Sequence, residues 1–372
     1  MKKGTQLWLE ALKEEGVDII FGYPGGYVLD IFDELYKQND IRLVLPRHEQ
    51  AAVHGADAYA RATGKVGVCV ATSGPGATNL VTGIANANYD SVPLVCFTGQ
   101  VPLELIGNDA FQEVDFIGIT RSICKYGVMV KDRKDLGRII KEAFYIARTG
   151  KPGPVVVDLP ANVMKEMEKD SYPAEVHIRG YKPNSDVHIG QLKRAVKLLK
   201  EAKRPLFLCG GGINIAHANG AFLKLAEAVQ IPVITTVMGK GAIATSHPLY
   251  VGSMGMHGCY AANKAVSECD LLFSIGTRFN DRITGKISEF AKDAKIVHID
   301  IDTAAISRNI KVDVPVVGDA KLAVEKMLTM VKQCDTKQWL EKIQCWKKEY
   351  PLSVKQGEKV NPQKIIEGIN HV

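Results

Sequence analysis

The sequence lacks any apolar run long enough to span a bilayer, so no membrane partner is expected. Its first residues, Met1-Lys2-Lys3-Gly4-Thr5, lead into an amphipathic pattern without the apolar core of a secretory signal, and a cytoplasmic protein is expected. No C-x-x-C pair occurs among Cys69, Cys96, Cys124, Cys209, Cys259, Cys269, Cys334 and Cys345, which argues against zinc and thioredoxin-like chemistry; no metal ligand is assigned. Cys69, Cys96 and Cys209 lie in apolar runs, where a thiol acts as a small hydrophobe, in keeping with a reducing compartment. The absence of G-x-x-x-x-G-K-[ST] argues against an ordinary nucleoside triphosphatase. Arginine–aromatic interleaving is absent and the net charge is only +6, so Lys193, Arg194, Lys197, Lys200 and Glu201 read as a solvated helical face and no nucleic acid is expected.

What is present is an ordinary globular composition, 46% hydrophobic and 24% charged over 372 residues, enough for two or three domains. Residues 5–160 alternate helix and strand patterns. Helices are expected near 6–15, 28–36, 49–62, from 77 onward and over 139–147. Strands are expected near 18–21, 41–45, 66–71, 92–98 and 154–159. Residues 189–333 repeat the alternation, with a helix at 191–199, strands near 205–209, 233–236, 271–275, 296–299 and 314–317, and a closing helix from 320 to 332. Continuous apolar strands between helices predict an α/β protein with two doubly wound domains built on mainly parallel sheets. The expected domains are 1–165 and 189–335, with a linker at 166–188 rich in Glu, Lys and Pro, and a polar helical tail at 336–372. Ligands of such sheets bind beyond the carboxyl ends of the strands, where the glycine-rich turns fall.

Glu49, in Arg47-His48-Glu49-Gln50-Ala51-Ala52, follows a strand and opens a helix. A carboxylate there is either a helix-start anion favoured by the macrodipole or a buried acid that shares a proton with a heterocyclic nitrogen, as activation of thiamine diphosphate requires. Burial favours the protonated form of such an acid. An Asp would fall short by about one methylene, and a Gln could bond but not transfer a proton. Thr72, Gly74, Pro75, Gly76 and Asn79, and likewise Tyr23, Pro24, Gly25 and Gly26, let backbone approach a flat ring closely, although a plain strand–helix turn uses the same residues. Gly210, Gly211 and Gly212 follow a strand as in a phosphate-binding turn. Met256 and His257 stand further on, Gly276, Thr277, Arg278 and Arg282 follow a strand, and Asp300 and Ile301 end the next one. Arg278 and Arg282 suit a pyrophosphate and Asp300 a ribose hydroxyl, which together suggest a dinucleotide; independent surface loops are the alternative.

F-G-Y-P-G-G (21–26), R-H-E-Q-A-A-V-H-G-A-D-A-Y-A-R-A-T-G (47–64), T-S-G-P-G-A-T-N (72–79), F-T-G-Q-V-P (97–102), D-A-F-Q-E (109–113), G-M-H-G (255–258) and R-F-N-D-R (278–282) resemble the large, catalytic subunit of acetolactate synthase, or acetohydroxyacid synthase. The resemblance covers almost the whole chain. It implies a pyrimidine-binding domain and a middle FAD-binding domain. The implied reaction is thiamine diphosphate-dependent decarboxylation of pyruvate and condensation with a second 2-oxo acid such as 2-oxobutyrate, leading to branched-chain amino acids. It also implies a homodimer or homotetramer and a possible regulatory small subunit. By resemblance Glu49 activates the cofactor, Phe111 and Gln112 sit near substrate, and Lys151, residues 257–278 and residues 300–319, including Asp319, contact a flavin with no net redox role. The family has Arg where Lys151 stands and Lys where Ala161 follows V-D-x-P. Its third domain, with a G-D-G…N motif for Mg²⁺ and the diphosphate, would begin near Asn361; the chain is therefore expected to be a fragment inactive by itself. A related pyruvate oxidase or decarboxylase, and a non-catalytic flavin-binding assembly module, are the other readings.

Overall fold

The computed structural model describes residues 1–169, 171–183, 186–353 and 361–370, in two compact units, Met1–Pro183 and Asn184–Val372. The first unit holds a two-stranded antiparallel ribbon of β1 (Lys2–Lys3) and β8 (Met167–Glu168). Its main sheet is formed by β2 (Ile19–Gly22), β3 (Arg42–Val44), β4 (Gly67–Ala71), β5 (Leu94–Gln100), β6 (Tyr126–Met129) and β7 (Pro154–Pro160). Those six strands run parallel in the order β3-β2-β4-β5-β7-β6. Their side chains alternate between two cores, as strand geometry requires. Val68, Val70, Val95 and Phe97 pack beneath helices Gly4–Glu14 and Leu136–Arg148, while Cys69, Ala71, Leu94 and Cys96 pack beneath Glu49–Thr63 and Val81–Asp90. A Cβ on Gly67 would lie 2.2 Å from the Ala56 carbonyl oxygen, and one on Gly83 would lie 2.3 Å from Val53 Cγ1. These two close approaches seat the helix that Glu49 opens.

The second unit repeats the plan with β9 (Pro205–Cys209), β10 (Val233–Thr235), β11 (Tyr250–Ser253), β12 (Leu271–Ile275), β13 (Lys295–Asp300) and β14 (Val314–Val317), all parallel, in the order β11-β10-β9-β12-β13-β14. Phe207, Cys209 and Phe273 face one core and Leu206, Leu208 and Leu272 the other. Among the described residues no helix is long and apolar enough to cross a membrane.

Several expectations differ in detail. The helix expected from residue 77 is two helices, Pro75–Thr78 and Val81–Asp90. The stretch read as a loop through Gln112 leads into helix Phe116–Thr120 and strand β6, both too short for a periodic signal. Strand β11 and helices Asn219–Val229 and Tyr260–Glu268 complete the second unit and were absent from the sequence reading.

Of the residues read as a linker, Tyr172 and Tyr181 are fastened to the first unit, while Val187 joins the core of the second. Tyr172 donates to the buried Glu15 carboxylate at 2.8 Å. Lys141 and Arg148 pair with the same group. Burial alone would raise the Glu15 carboxyl, but bonds from Arg148, Tyr172 and Lys141 outweigh it and hold it below the usual range. Tyr181 accepts from Lys125 Nζ at 2.8 Å, and burial pulls that ammonium down to about 8. Part of the polar helical tail packs on the second unit. Within it, helix Lys337–Glu349 buries Trp339, Ile343 and Trp346 in the second unit's core, and Trp339 Nε1 donates to the Pro205 carbonyl at 3.0 Å. A stripe at positions i, i+4 and i+7 does this while the rest of the helix stays polar.

Candidate functional site

Because all six strands of the first sheet run parallel, their carboxyl ends share one edge. Sequential strands step outward from β2 to β3 and then resume on the other side at β4, so the order reverses between β2 and β4. A cleft of about 560 Å³ opens at that edge, lined by Pro24, Gly25, Gly26 and Tyr27 after β2, Glu49 after β3, Thr72, Pro75, Gly76 and Asn79 after β4, and Phe111 and Gln112 after β5. This is the switch-point crevice where open α/β sheets bind ligands. Gly74 adjoins the cleft in a left-handed conformation (φ 55°), and a Cβ there would lie 2.7 Å from the Gln112 carbonyl oxygen. Tyr23 belongs to the first turn, with its N–H donated to the Val70 carbonyl, but it is not among the lining residues.

Glu49 begins its helix, which is capped by His48 Nδ1 accepting from Gln50 N at 3.1 Å and ends at left-handed Gly64. The carboxylate accepts from Asn79 Nδ2 at 2.9 Å. Its other oxygen faces Gly76, where a Cβ would come within 3.5 Å. The sequence reading expected this acid to be shielded from solvent. Within the single chain it is half-buried, because the first turn of its helix forms the wall of an open cleft. Gly25 and Gly76 both close on one side chain, since a Cβ on either would meet the Thr72 methyl at 2.5 and 2.7 Å respectively. Gln112 adopts φ 60°, a strained conformation for a residue with a Cβ, and Phe111 beside it is 79% exposed.

The sequence reading missed Tyr27, whose N–H donates to Thr72 Oγ1 at 3.3 Å. It also missed a buried polar group behind the cleft. Asp158 on β7 accepts from Thr98 Oγ1 at 2.7 Å and from Gln100 Nε2 at 3.0 Å. Burial pushes the Asp158 carboxyl up to about 7, against those two hydrogen bonds, with Asp115 adding in the upward direction. Its signal in the sequence was an acid at the end of an otherwise apolar run, Val155-Val156-Val157-Asp158.

In the second unit Gly210, Gly211, Gly212, Met256, His257, Gly276, Thr277, Arg278, Arg282, Asp300, Ile301 and Asp319 all fall at or beyond strand carboxyl ends, on one edge. The strand order reverses between β9 and β12. There the glycines are consumed by backbone packing: a Cβ on Gly210 would lie 2.0 Å from the Gly276 carbonyl oxygen, and one on Gly212 would lie 2.6 Å from Gly276 Cα. Thr277 Oγ1 is buried at this seam without a hydrogen-bond partner, and Asn280 Oδ1, three residues on, is likewise buried and unpartnered. Asp319 caps helix Ala320–Leu328 by accepting from Leu322 N at 3.0 Å, and Asp300 accepts from Asp302 N at 2.9 Å. Met256 and His257 are exposed, and Met256 N donates to the Arg282 carbonyl at 2.8 Å. Lys151 stands apart. It belongs to the first unit and precedes β7, so it lies at the amino edge of that sheet, away from the Glu49 cleft.

Comparison with known proteins agrees with this arrangement. Residues 2–119 match the N-terminal TPP-binding domain of thiamine pyrophosphate enzymes, and residues 192–327 match their central domain. The probable acetolactate synthase large subunit of Methanocaldococcus jannaschii is 49% identical over 377 aligned positions that cover 100% of this chain and 64% of that protein. The acetolactate synthase large subunit of Cyanidium caldarium is 46% identical over 100% of the chain and 66% of its own length. The acetolactate synthase of Mycobacterium bovis is 44% identical over 99% of the chain and 61% of its own length. The chain thus spans just under two thirds of the curated relatives it matches. It belongs to the thiamine pyrophosphate enzymes and is, over its whole length, a homologue of acetolactate synthase large subunits.

Proposed function

We propose that this chain supplies the pyrimidine-binding and middle domains of a thiamine diphosphate-dependent acetolactate synthase. The observation that carries this reading is the Glu49 carboxylate on the wall of a glycine-lined cleft at the first sheet's switch point. The residues present suit a planar heterocycle. Gly25, Gly26 and Gly76 keep the wall free of side chains, Thr72 braces the two turns, and Glu49 is oriented by Asn79. Bound there, thiamine diphosphate would serve as the electron sink for decarboxylation of a 2-oxo acid. Glu49 would hold a proton at a ring nitrogen, while Phe111 and Gln112 would border pyruvate and then pyruvate or 2-oxobutyrate as acceptor. The product would be 2-acetolactate or 2-aceto-2-hydroxybutyrate, feeding branched-chain amino acid synthesis in the cytoplasm.

FAD would lie along the carboxyl edge of the second sheet, a fit supported by the buried, unpartnered Thr277 hydroxyl at its switch point and the likewise unpartnered Asn280 carbonyl three residues on. It would be structural, with Arg278, Arg282 and Asp300 of the same unit as further contacts. Mg²⁺ and the diphosphate would be held by residues outside 1–372, and a homodimer, with or without a regulatory small subunit, would complete the enzyme. The deciding experiment is acetolactate formation from pyruvate with thiamine diphosphate, Mg²⁺ and FAD. The complete protein should turn over and residues 1–372 alone should not. Robust turnover by 1–372 would overturn the division of labour, and none by the complete protein would overturn the activity.

A further inference from the structure

We propose that Asp158 and Gln100 form a buried positioning pair that sets the Phe111–Gln112 wall of the cleft, through the carbonyl group of Val114. The inference rests on the reading of the cleft given above. Gln100 is almost fully buried, and every polar group of its amide is used. Its oxygen accepts from Val101 N at 2.9 Å. Its nitrogen donates one hydrogen to Asp158 Oδ2 at 3.0 Å and the other to the Val114 carbonyl at 2.8 Å. The amide is therefore oriented by three partners. Turning it over would set its NH₂ against the Val101 N–H and its oxygen against two acceptors.

Val114 ends a loop that behaves as one piece. Glu113 clips the loop by accepting from Gly107 N at 2.6 Å and from Ala110 N at 3.1 Å. Asp115 caps the helix that follows, accepting from Gly118 N at 2.8 Å. Between these fixed ends Gln112 keeps its left-handed backbone and presses on the Gly74 turn. A shift of the Val114 carbonyl must then move Gln112 and Phe111 relative to Glu49, in the same cleft.

The pair is also sensitive to protons. The bonds on Asp158 are those of an ionised carboxylate, which accepts at both oxygens, from Thr98 and from Gln100. A proton on Oδ2 would face the Gln100 NH₂ with a donor, and a proton on Oδ1 would turn the Thr98 hydroxyl into the acceptor; either way the Gln100 N–H loses an ionised partner and its bond weakens. Two groups from β5, Thr98 and Gln100, are uncharged, and the charged group that bears on Asp158 is Asp115, which acts in the same direction as burial. The change therefore falls close to neutrality, with the cleft wall held at higher pH and loosened at lower pH.

The test uses the complete protein, wild type and Asp158→Asn, with Gln100→Met as a second variant. Hydrogen-exchange protection of residues 107–116, corrected for intrinsic rate, is followed from pH 6 to 8, together with KM and kcat for pyruvate. In the wild type, protection should rise and KM fall with pH through a midpoint near 7. Asp158→Asn should flatten both profiles at the low-pH level and raise KM roughly tenfold at pH 8, with a smaller change in kcat. Gln100→Met should loosen the same segment at every pH, and combining the two variants should add little further effect. Protection and KM profiles that keep their pH dependence in folded Asp158→Asn would overturn the proposal, as would an unchanged loop in Gln100→Met. If the wild type has no synthase activity but its loop still tightens with pH and loses this in Asp158→Asn, the function assigned to the cleft fails while the positioning pair stands.

Discussion

The two units solve one topological problem in different ways. Each has six parallel strands whose order reverses near the middle, at β2/β4 in one and β9/β12 in the other, and each places glycine-rich turns at the reversal. In the first unit those turns meet only through the Thr72 side chain, not backbone to backbone. Beyond its own chain neighbours, no atom of the described residues lies within 4 Å of a Cβ built on Gly26, and the space between the turns is a cleft faced by a carboxylate, an amide and a hydroxyl. In the second unit the turns close on each other, backbone to backbone. Glycine at a strand end therefore has two separate causes, room for a ligand or close approach of two chain segments. Only the neighbours of the missing Cβ tell them apart.

The sharpest way to break this contrast is Glu49→Gln in the complete enzyme. The change keeps the Asn79 contact within reach of a hydrogen bond but removes the proton, so acetolactate formation should fall on the order of 10²–10⁴-fold, the usual range for losing an acid–base group. FAD binding, which belongs to the other edge, should be unchanged by flavin fluorescence titration. Activity equal to wild type would remove Glu49 from its role. The next effect concerns the glycines themselves. Gly210→Ala places a methyl 2.0 Å from the Gly276 carbonyl oxygen and should destabilise the second unit by about 1–3 kcal/mol or more. The midpoint of thermal unfolding should drop on the order of 5 °C. Gly26→Ala meets open space and should alter stability by less than about 0.5 kcal/mol, while weakening thiamine diphosphate binding. Equal loss of stability in the two variants would erase the distinction between the edges.

How much of this was legible in the sequence follows from where each element sits. Strands β4, β5, β7, β9 and β12 are buried on both faces, and their unbroken apolar runs announced them. The main-sheet strands that escaped, β6 and β11, are sheet edges, where partial exposure or a shifted register breaks the run. The segment read as a linker looks polar and Pro-rich, yet Tyr172 and Tyr181 anchor it through side-chain hydrogen bonds that no periodicity reveals. The cleft was legible because each of its walls is a short contiguous motif. The Asp158–Gln100 pair was not, because its members are 58 residues apart and meet only through the β5/β7 register.

The smallest effect probes the second edge alone. Thr277 Oγ1 is buried with no partner, and a Cβ on Gly210 would lie 2.6 Å from it, so this hydroxyl sits directly at the β9/β12 seam. A buried hydroxyl without a partner costs free energy unless a ligand satisfies it. Thr277→Val keeps the shape and removes the hydroxyl. In the flavin-free protein the change should be neutral or slightly stabilising in denaturant melts. With FAD, if the hydroxyl donates to the dinucleotide, affinity should fall about tenfold, measured by quenching of flavin fluorescence. Unchanged affinity together with raised stability would mean that the second edge keeps an unpaired hydroxyl for no ligand, and its closed seam would then be a packing joint only. A loss of affinity would show that the two edges differ in how they meet a ligand, one through an open cleft and one through a single polar group at a closed seam.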